Sequence, residues 1–126
     1  MSKYDDTLKD METTIGMVPG FFKALAEDVV IQEWPLMKKY VTGESKIPGK
    51  YRELIGLAVA ANKGCSYCTL FHTGAAKLYG ASDDEIQEIY FLASYTGRWS
   101  TMLYAQQYDM EKWAEECAKI GAHLSK

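Results

Sequence analysis

The sequence has no surplus of positive charge: 14 Lys and Arg stand against 17 Asp and Glu, leaving a net charge of −3. A nucleic acid or an anionic membrane would meet no basic field. No apolar run reaches membrane-spanning length. The opening stretch, MSKYDDTLKDMETTIGMVPG, carries acids and lacks the apolar core of a signal peptide, so a cytoplasmic protein is expected. No segment alternates strictly between apolar and polar residues, which leaves no candidate strand. Cysteine and histidine are scarce, at 3 and 2. Three cysteines do not make a secreted disulfide framework, and two of them in a C-x-x-C spacing suit redox or metal chemistry better.

What remains is apolar and helical in pattern. With 126 residues, 48% of them hydrophobic and 25% charged, the chain has the size and composition of one folded domain spanning 1–126. The expectation is an all-α bundle of about six to seven helices joined by short loops. Leu8, Met11 and Ile15 predict a helix over Asp5–Ile15, closed by Gly16. Pro19 opens a second helix through FFKALAEDVV, and a third runs from Val30 to Tyr40 with Pro35 opening or kinking it. IPGKYREL, from Ile47, resembles the earlier VPGFFKAL, and both read as helix starts rather than as an internal repeat.

The central helix runs to about Asn62 and ends at Lys63-Gly64. The next begins at the cysteines and ends near Tyr79-Gly80. Ser82 with Glu85 forms a capping box for a helix ending near Tyr95. Gly97 is expected to break the chain before a short segment, Ser100 to Tyr108. Asp109 caps a last helix ending at Ile120, before Gly121. Phe91, Tyr95 and Trp99, then Tyr104 and Tyr108, make aromatic stripes at helical spacing. Core packing is their first reading and a subunit interface the second.

Chemistry concentrates in ELIGLAVAANKGCSYCTLFH, from Glu53 to His72. With Cys65 at a helix start, Cys68 and His72 follow on the same face. A cysteine in a first turn feels the unpaired N–H groups and the positive helix end, which favour thiolate. The i, i+3 spacing lets the two sulfurs meet. Glu53 to Asn62 spans about 13 Å of helix, and Cys65 to His72 returns about 10 Å, so an antiparallel pair brings Glu53 level with His72. A carboxylate there can orient the imidazole and exchange its proton. The four groups then read as base (Glu53), relay (His72), activated thiol (Cys68) and partner thiol (Cys65). That suits thiol–disulfide exchange or peroxide reduction.

The pattern Glu-x11-Cys-x2-Cys-x3-His resembles that of the alkylhydroperoxidase D-like proteins of the carboxymuconolactone decarboxylase family, over roughly Pro48 to Tyr95. The resemblance implies an all-helical fold and assembly into homotrimers, homohexamers or other rings. It implies a redox-active Cys65–Cys68 disulfide and no further cofactor. It makes Glu53 and His72 the proton relay, acting on Cys68. Electrons would come from a thioredoxin-like protein, a lipoyl group or a small thiol. The substrate would be a disulfide or a hydroperoxide. The best-known peroxidases of the family carry histidine just before the second cysteine, where this chain has Tyr67, a poor proton acceptor at neutral pH. Disulfide reduction tolerates that change better than peroxide reduction. The decarboxylating branch generally lacks the cysteine pair, so lactone decarboxylation is not expected.

Other readings stand beside this one. Cys65, Cys68, His72 and Glu53 are all metal-ligand types, but one regular helix face makes a poor tetrahedral cage. A metal-holding or scaffold oligomer without catalysis is the alternative function. Haem attachment needs histidine where Thr69 stands. Taken singly, Cys68 and His72 would be core residues. Cys117 reads as a packing residue, His123 as solvent-facing or complementing a helix end, and Lys50 and Arg52 as solvated.

Overall fold

Helix ends follow local chemistry along most of the chain. A computed structural model describes every residue from Met1 to Lys126, and it contains six α-helices, one 3-10 turn and no strand. α1 (Lys3–Ile15) starts at a capping box, in which the Ser2 hydroxyl accepts from the Asp5 N–H while Asp5 accepts from the Ser2 N–H. It ends at Gly16 in the left-handed conformation. α3 (Gly49–Lys63) ends the same way at Gly64, φ 68°. α4 (Ser66–Leu78) follows with Cys65 as its N-cap. α5 (Asp83–Ala105) has the Ser82–Glu85 box, and α6 (Met110–Leu124) is capped by Asp109.

Four boundaries differ from expectation. FFKALAEDVV is not one helix: Gly20–Ala24 forms a 3-10 turn, and α2 (Glu27–Val41) starts after extended residues Leu25 and Ala26. That step lets Phe22 turn into the core beside Val30. Pro35 lies inside α2. A proline there leaves the Ile31 carbonyl without its usual partner. The helix is pinned to α1 on both sides of it, because Trp34 Nε1 donates to Asp10 Oδ2 at 2.7 Å and Lys38 Nζ donates at 2.9 Å. Gly97 does not interrupt α5, and Gly121 does not end α6. An interior glycine costs a helix only about 1 kcal/mol. On α5 that cost is offset where Asn62 Nδ2 of α3 donates to the Ala93 carbonyl at 2.8 Å.

The helices form two packed groups. α1, the 3-10 turn and α2 enclose Met11, Phe22, Val30 and Trp34. α3, α4 and α5 enclose Leu54, Leu57, Ala76 and Ile86. Contacts between the groups are few and polar. Arg52 donates from Nη1 to the Gly43 carbonyl and the Ser45 hydroxyl, both at 2.9 Å. The Tyr79 hydroxyl donates to the Val41 carbonyl. Arg52 is therefore a strut rather than a solvated charge, and Lys50 pairs with Glu85 at 3.1 Å. No helix is long and apolar enough to cross a membrane.

Burial is sparse, with only 12 of 126 residues in the interior. The aromatic stripe of α5 is not core: Phe91, Tyr95, Trp99 and Tyr104 are all exposed. Cys117 is exposed too, so it is not a core packing residue of its own chain. Both corrections have one cause. α3 packs against α5, with Ala76 of α4 and Ile86 of α5 in the same core, and the chain then runs outward, reversing at Gln107 (φ 50°) into α6, whose Trp113 and Glu116 meet Tyr108 of the connecting turn. His123 lies exposed in the last turn of α6.

Candidate active site

Glu53 sits one turn inside α3, just before the buried Leu54, and is itself 2% exposed, the one charged residue in the interior. A carboxylate there needs a partner, since an unpaired buried charge is costly. Its partner is His72 from α4, with Nδ1 2.7 Å from Glu53 Oε2. An ionised carboxylate only accepts, so Nδ1 carries the proton and Nε2 is left to take or give one elsewhere.

The close approach of α3 and α4 depends on Gly56, one turn above Glu53. A Cβ built there would lie 2.5 Å from His72 Cε1 and 2.6 Å from Nδ1. The bare backbone of Gly56 is thus the wall against which the imidazole rests. Phe71 packs edge-on to the ring, centroids 5.3 Å apart. Gly56 was not among the residues singled out from the sequence. The available signal was a glycine in the middle of an apolar helix, three residues after the acid and on its face.

The sulfurs form a second pair. Cys65 caps α4, and its Sγ accepts from the Cys68 N–H at 3.2 Å. Both thiols are free and half-buried. The Cys68 thiol, donating to Cys65, holds the Cys65 thiol below the ordinary range, helped by the Cys68 N–H and by Lys63 nearby. The same hydrogen bond, with partial burial, pushes Cys68 up. The two thiols are therefore coupled, with Cys65 shifted down and Cys68 shifted up.

All four residues singled out from the sequence thus lie on the facing helices α3 and α4, as two bonded pairs. His72 makes no hydrogen bond to either sulfur in this conformation. Tyr67 is 87% exposed and joins neither pair. No three His, Cys, Asp or Glu side chains converge closely enough to hold a metal ion. A cavity of about 1050 Å³ opens beside the carboxylate–imidazole pair, between the two helix groups, walled by Ile47, Ile55 and Phe71 with Lys39 and Arg52. Arg52 Nε is buried there without a hydrogen-bond partner. The cavity wall includes Glu53 and His72 but neither cysteine.

Comparison with known proteins bears on this arrangement. The carboxymuconolactone decarboxylase family pattern matches residues 32–108. An uncharacterised protein of Cupriavidus necator is 28% identical over 100 residues, 78% of this chain and 88% of that protein. The crystal structure of the alkylhydroperoxidase AhpD core from Rhodospirillum rubrum has the same fold. It aligns with a TM-score of 0.73 over 86% of this chain and 82% of that one, at 24% identity. The match to the family pattern runs from α2 to the end of α5 and includes every residue of both bonded pairs, so the chain belongs to the carboxymuconolactone decarboxylase family, with the alkylhydroperoxidase D-like fold.

Proposed function

We propose that the protein is a thiol–disulfide oxidoreductase whose Cys65–Cys68 dithiol reduces disulfides and, as a second substrate class, hydroperoxides. The observation that carries this reading is the buried Glu53–His72 contact at 2.7 Å, made one helical turn beyond a cysteine pair in which the Cys65 sulfur accepts from the Cys68 N–H.

The Cys65 thiolate attacks one sulfur of a disulfide and expels the other as thiolate, leaving a mixed disulfide on Cys65. Cys68 must then lose its proton. That is the step for the relay: His72 Nε2 accepts the proton and Glu53 stabilises the resulting imidazolium. Transfer takes place through a small movement of the imidazole or through one water. The Cys68 thiolate displaces the bound substrate thiolate and closes the Cys65–Cys68 disulfide. With a hydroperoxide, Cys65 takes the terminal oxygen, becoming sulfenic acid as the alcohol leaves. Cys68 then forms the disulfide, and water departs. A thioredoxin-like protein, a lipoyl dithiol or a small thiol supplies the two electrons that reopen it.

Single-turnover trapping tests the roles. With a mixed aromatic disulfide, Cys68→Ser should accumulate a stable adduct on Cys65, found by peptide mass. Cys65→Ser should trap far less, because the remaining thiol is the protonated one. An adduct that forms chiefly on Cys68 reverses the two roles. Full multiple-turnover activity in either variant refutes the dithiol mechanism.

A further inference from the structure

We infer that the cavity between the two helix groups is a binding site for an organic carboxylate with an apolar body, its charged end held by Arg52. The space is about 1050 Å³, as roomy as the larger small-molecule clefts, which run to about 1,000 Å³. Ile47, Ile55 and Phe71 give it an apolar wall, and all three are exposed to whatever fills it. An apolar wall with a few convergent polar groups is the usual make-up of a ligand site.

The polar groups are of one sign. The chain as a whole is acidic, at −3, yet Lys39, Lys46 and Arg52 border the cavity against Glu44. The other acid there, Glu53, is bonded to His72. The ion pairs made by lysine elsewhere, Lys38 with Asp10 and Lys50 with Glu85, involve none of these cations. Arg52 is also fixed in place. Its Nη1 donates to the Gly43 carbonyl and the Ser45 hydroxyl, both at 2.9 Å, while its Nε is buried with no acceptor from the chain. A planar guanidinium anchored through one nitrogen offers its other donors as a fork that matches a carboxylate. A buried donor without an acceptor costs free energy, and a carboxylate drawn against Arg52 relieves that cost.

The walls set the ligand's direction. Ile55 lies three residues after Arg52 and so on the same face of α3. The apolar body therefore runs from Arg52 over Ile55 toward Phe71 and the partly exposed ring of His72. The charged end cannot go to His72, because the Glu53 carboxylate behind that ring repels a second anion. A bare inorganic anion would leave the apolar wall wet. An organic cation would meet three like charges, and a neutral apolar molecule would leave the guanidinium unmatched. The site adjoins the relay but needs no sulfur, so it and the redox reading can fail separately.

Octanoate is the probe, with acetate (charge without body) and octan-1-ol (body without charge) as its two halves. Calorimetric titration of the reduced, full-length protein to millimolar ligand gives affinity and stoichiometry. The ring-proton signals of the two histidines report the place, His72 in the cavity and His123 remote from it on α6. Octanoate should bind once per chain, at least about tenfold tighter than either half, as expected when a charged hydrogen bond is added to apolar contact. It should shift the His72 signal and leave that of His123 in place. Arg52→Lys, which keeps the charge but loses the fork, should weaken binding, and so should Ile55→Glu, an exposed wall position where the fold has little at stake. Lys119→Glu on α6 should leave it unchanged. Octan-1-ol or acetate binding as tightly as octanoate overturns the inference. So does the absence of octanoate binding, a shift at His123 without one at His72, or an affinity that neither Arg52→Lys nor Ile55→Glu lowers.

Discussion

Substituting Gly56 by alanine should release His72 from Glu53. The new methyl would sit 2.5 Å from Cε1, where ordinary contact starts at 3.4 Å, so the ring must retreat by about 0.9 Å. The Nδ1–Oε2 contact of 2.7 Å then stretches beyond hydrogen-bonding length. Leaving a buried acceptor without its donor costs about 1–3 kcal/mol, more if the carboxylate stays charged. Alanine returns up to about 1 kcal/mol of helix propensity, so with the full return the net loss is about 0–2 kcal/mol. Gly74, inside α4 with nothing within 4 Å of a built Cβ, supplies the control. There alanine should stabilise by up to about 1 kcal/mol. Urea unfolding of both variants at one protein concentration measures the contrast, and single-turnover disulfide closure measures the relay. Gly56→Ala should slow closure at least tenfold while leaving the first attack by Cys65 intact. If it unfolds at the same urea concentration as Gly74→Ala and closes its disulfide at the wild-type rate, the steric argument is refuted.

Three further outcomes are expected. Glu53→Gln keeps the shape of the buried side chain but removes the charge that supports an imidazolium, so disulfide closure should slow while the circular dichroism spectrum stays that of the wild type. In reduced protein, the pH profile of iodoacetamide alkylation should show Cys65 reacting with a midpoint below an ordinary thiol and Cys68 with one above it; the reverse order would refute the polarised pair. Asp10, held below its usual value of 3.8 by donors from Trp34 and Lys38, adds stability that is complete above that value and is lost as pH falls through the lowered one. Asp10→Asn should therefore flatten the acid limb of the melting-temperature profile below pH 3.8, and an unchanged acid limb would count against the Asp10 contacts.

Much of the site was legible because its parts are local. C-x-x-C followed by histidine lies within little more than two turns of one helix. The acid fell into place because the Gly64 stop makes α3 and α4 antiparallel, and rise per residue then sets which residues are level. The Ser82, Asp109 and Gly16 signals each act within four residues, and the sequence located them. Gly97 and Gly121 misled, because a glycine's penalty is small beside the helical hydrogen bonds on either side.

The sequence by itself determined the all-helical class, most helix ends and the four chemical groups, since each depends on neighbours along the chain. Tertiary structure alone decided that Gly56 makes room for the imidazole and that Arg52 braces the two helix groups. It also left the aromatic stripe of α5, and Cys117 with it, without cover from their own chain. Helical spacing shows that such residues share a face; what covers that face depends on segments distant in sequence or on other molecules, which no local pattern encodes.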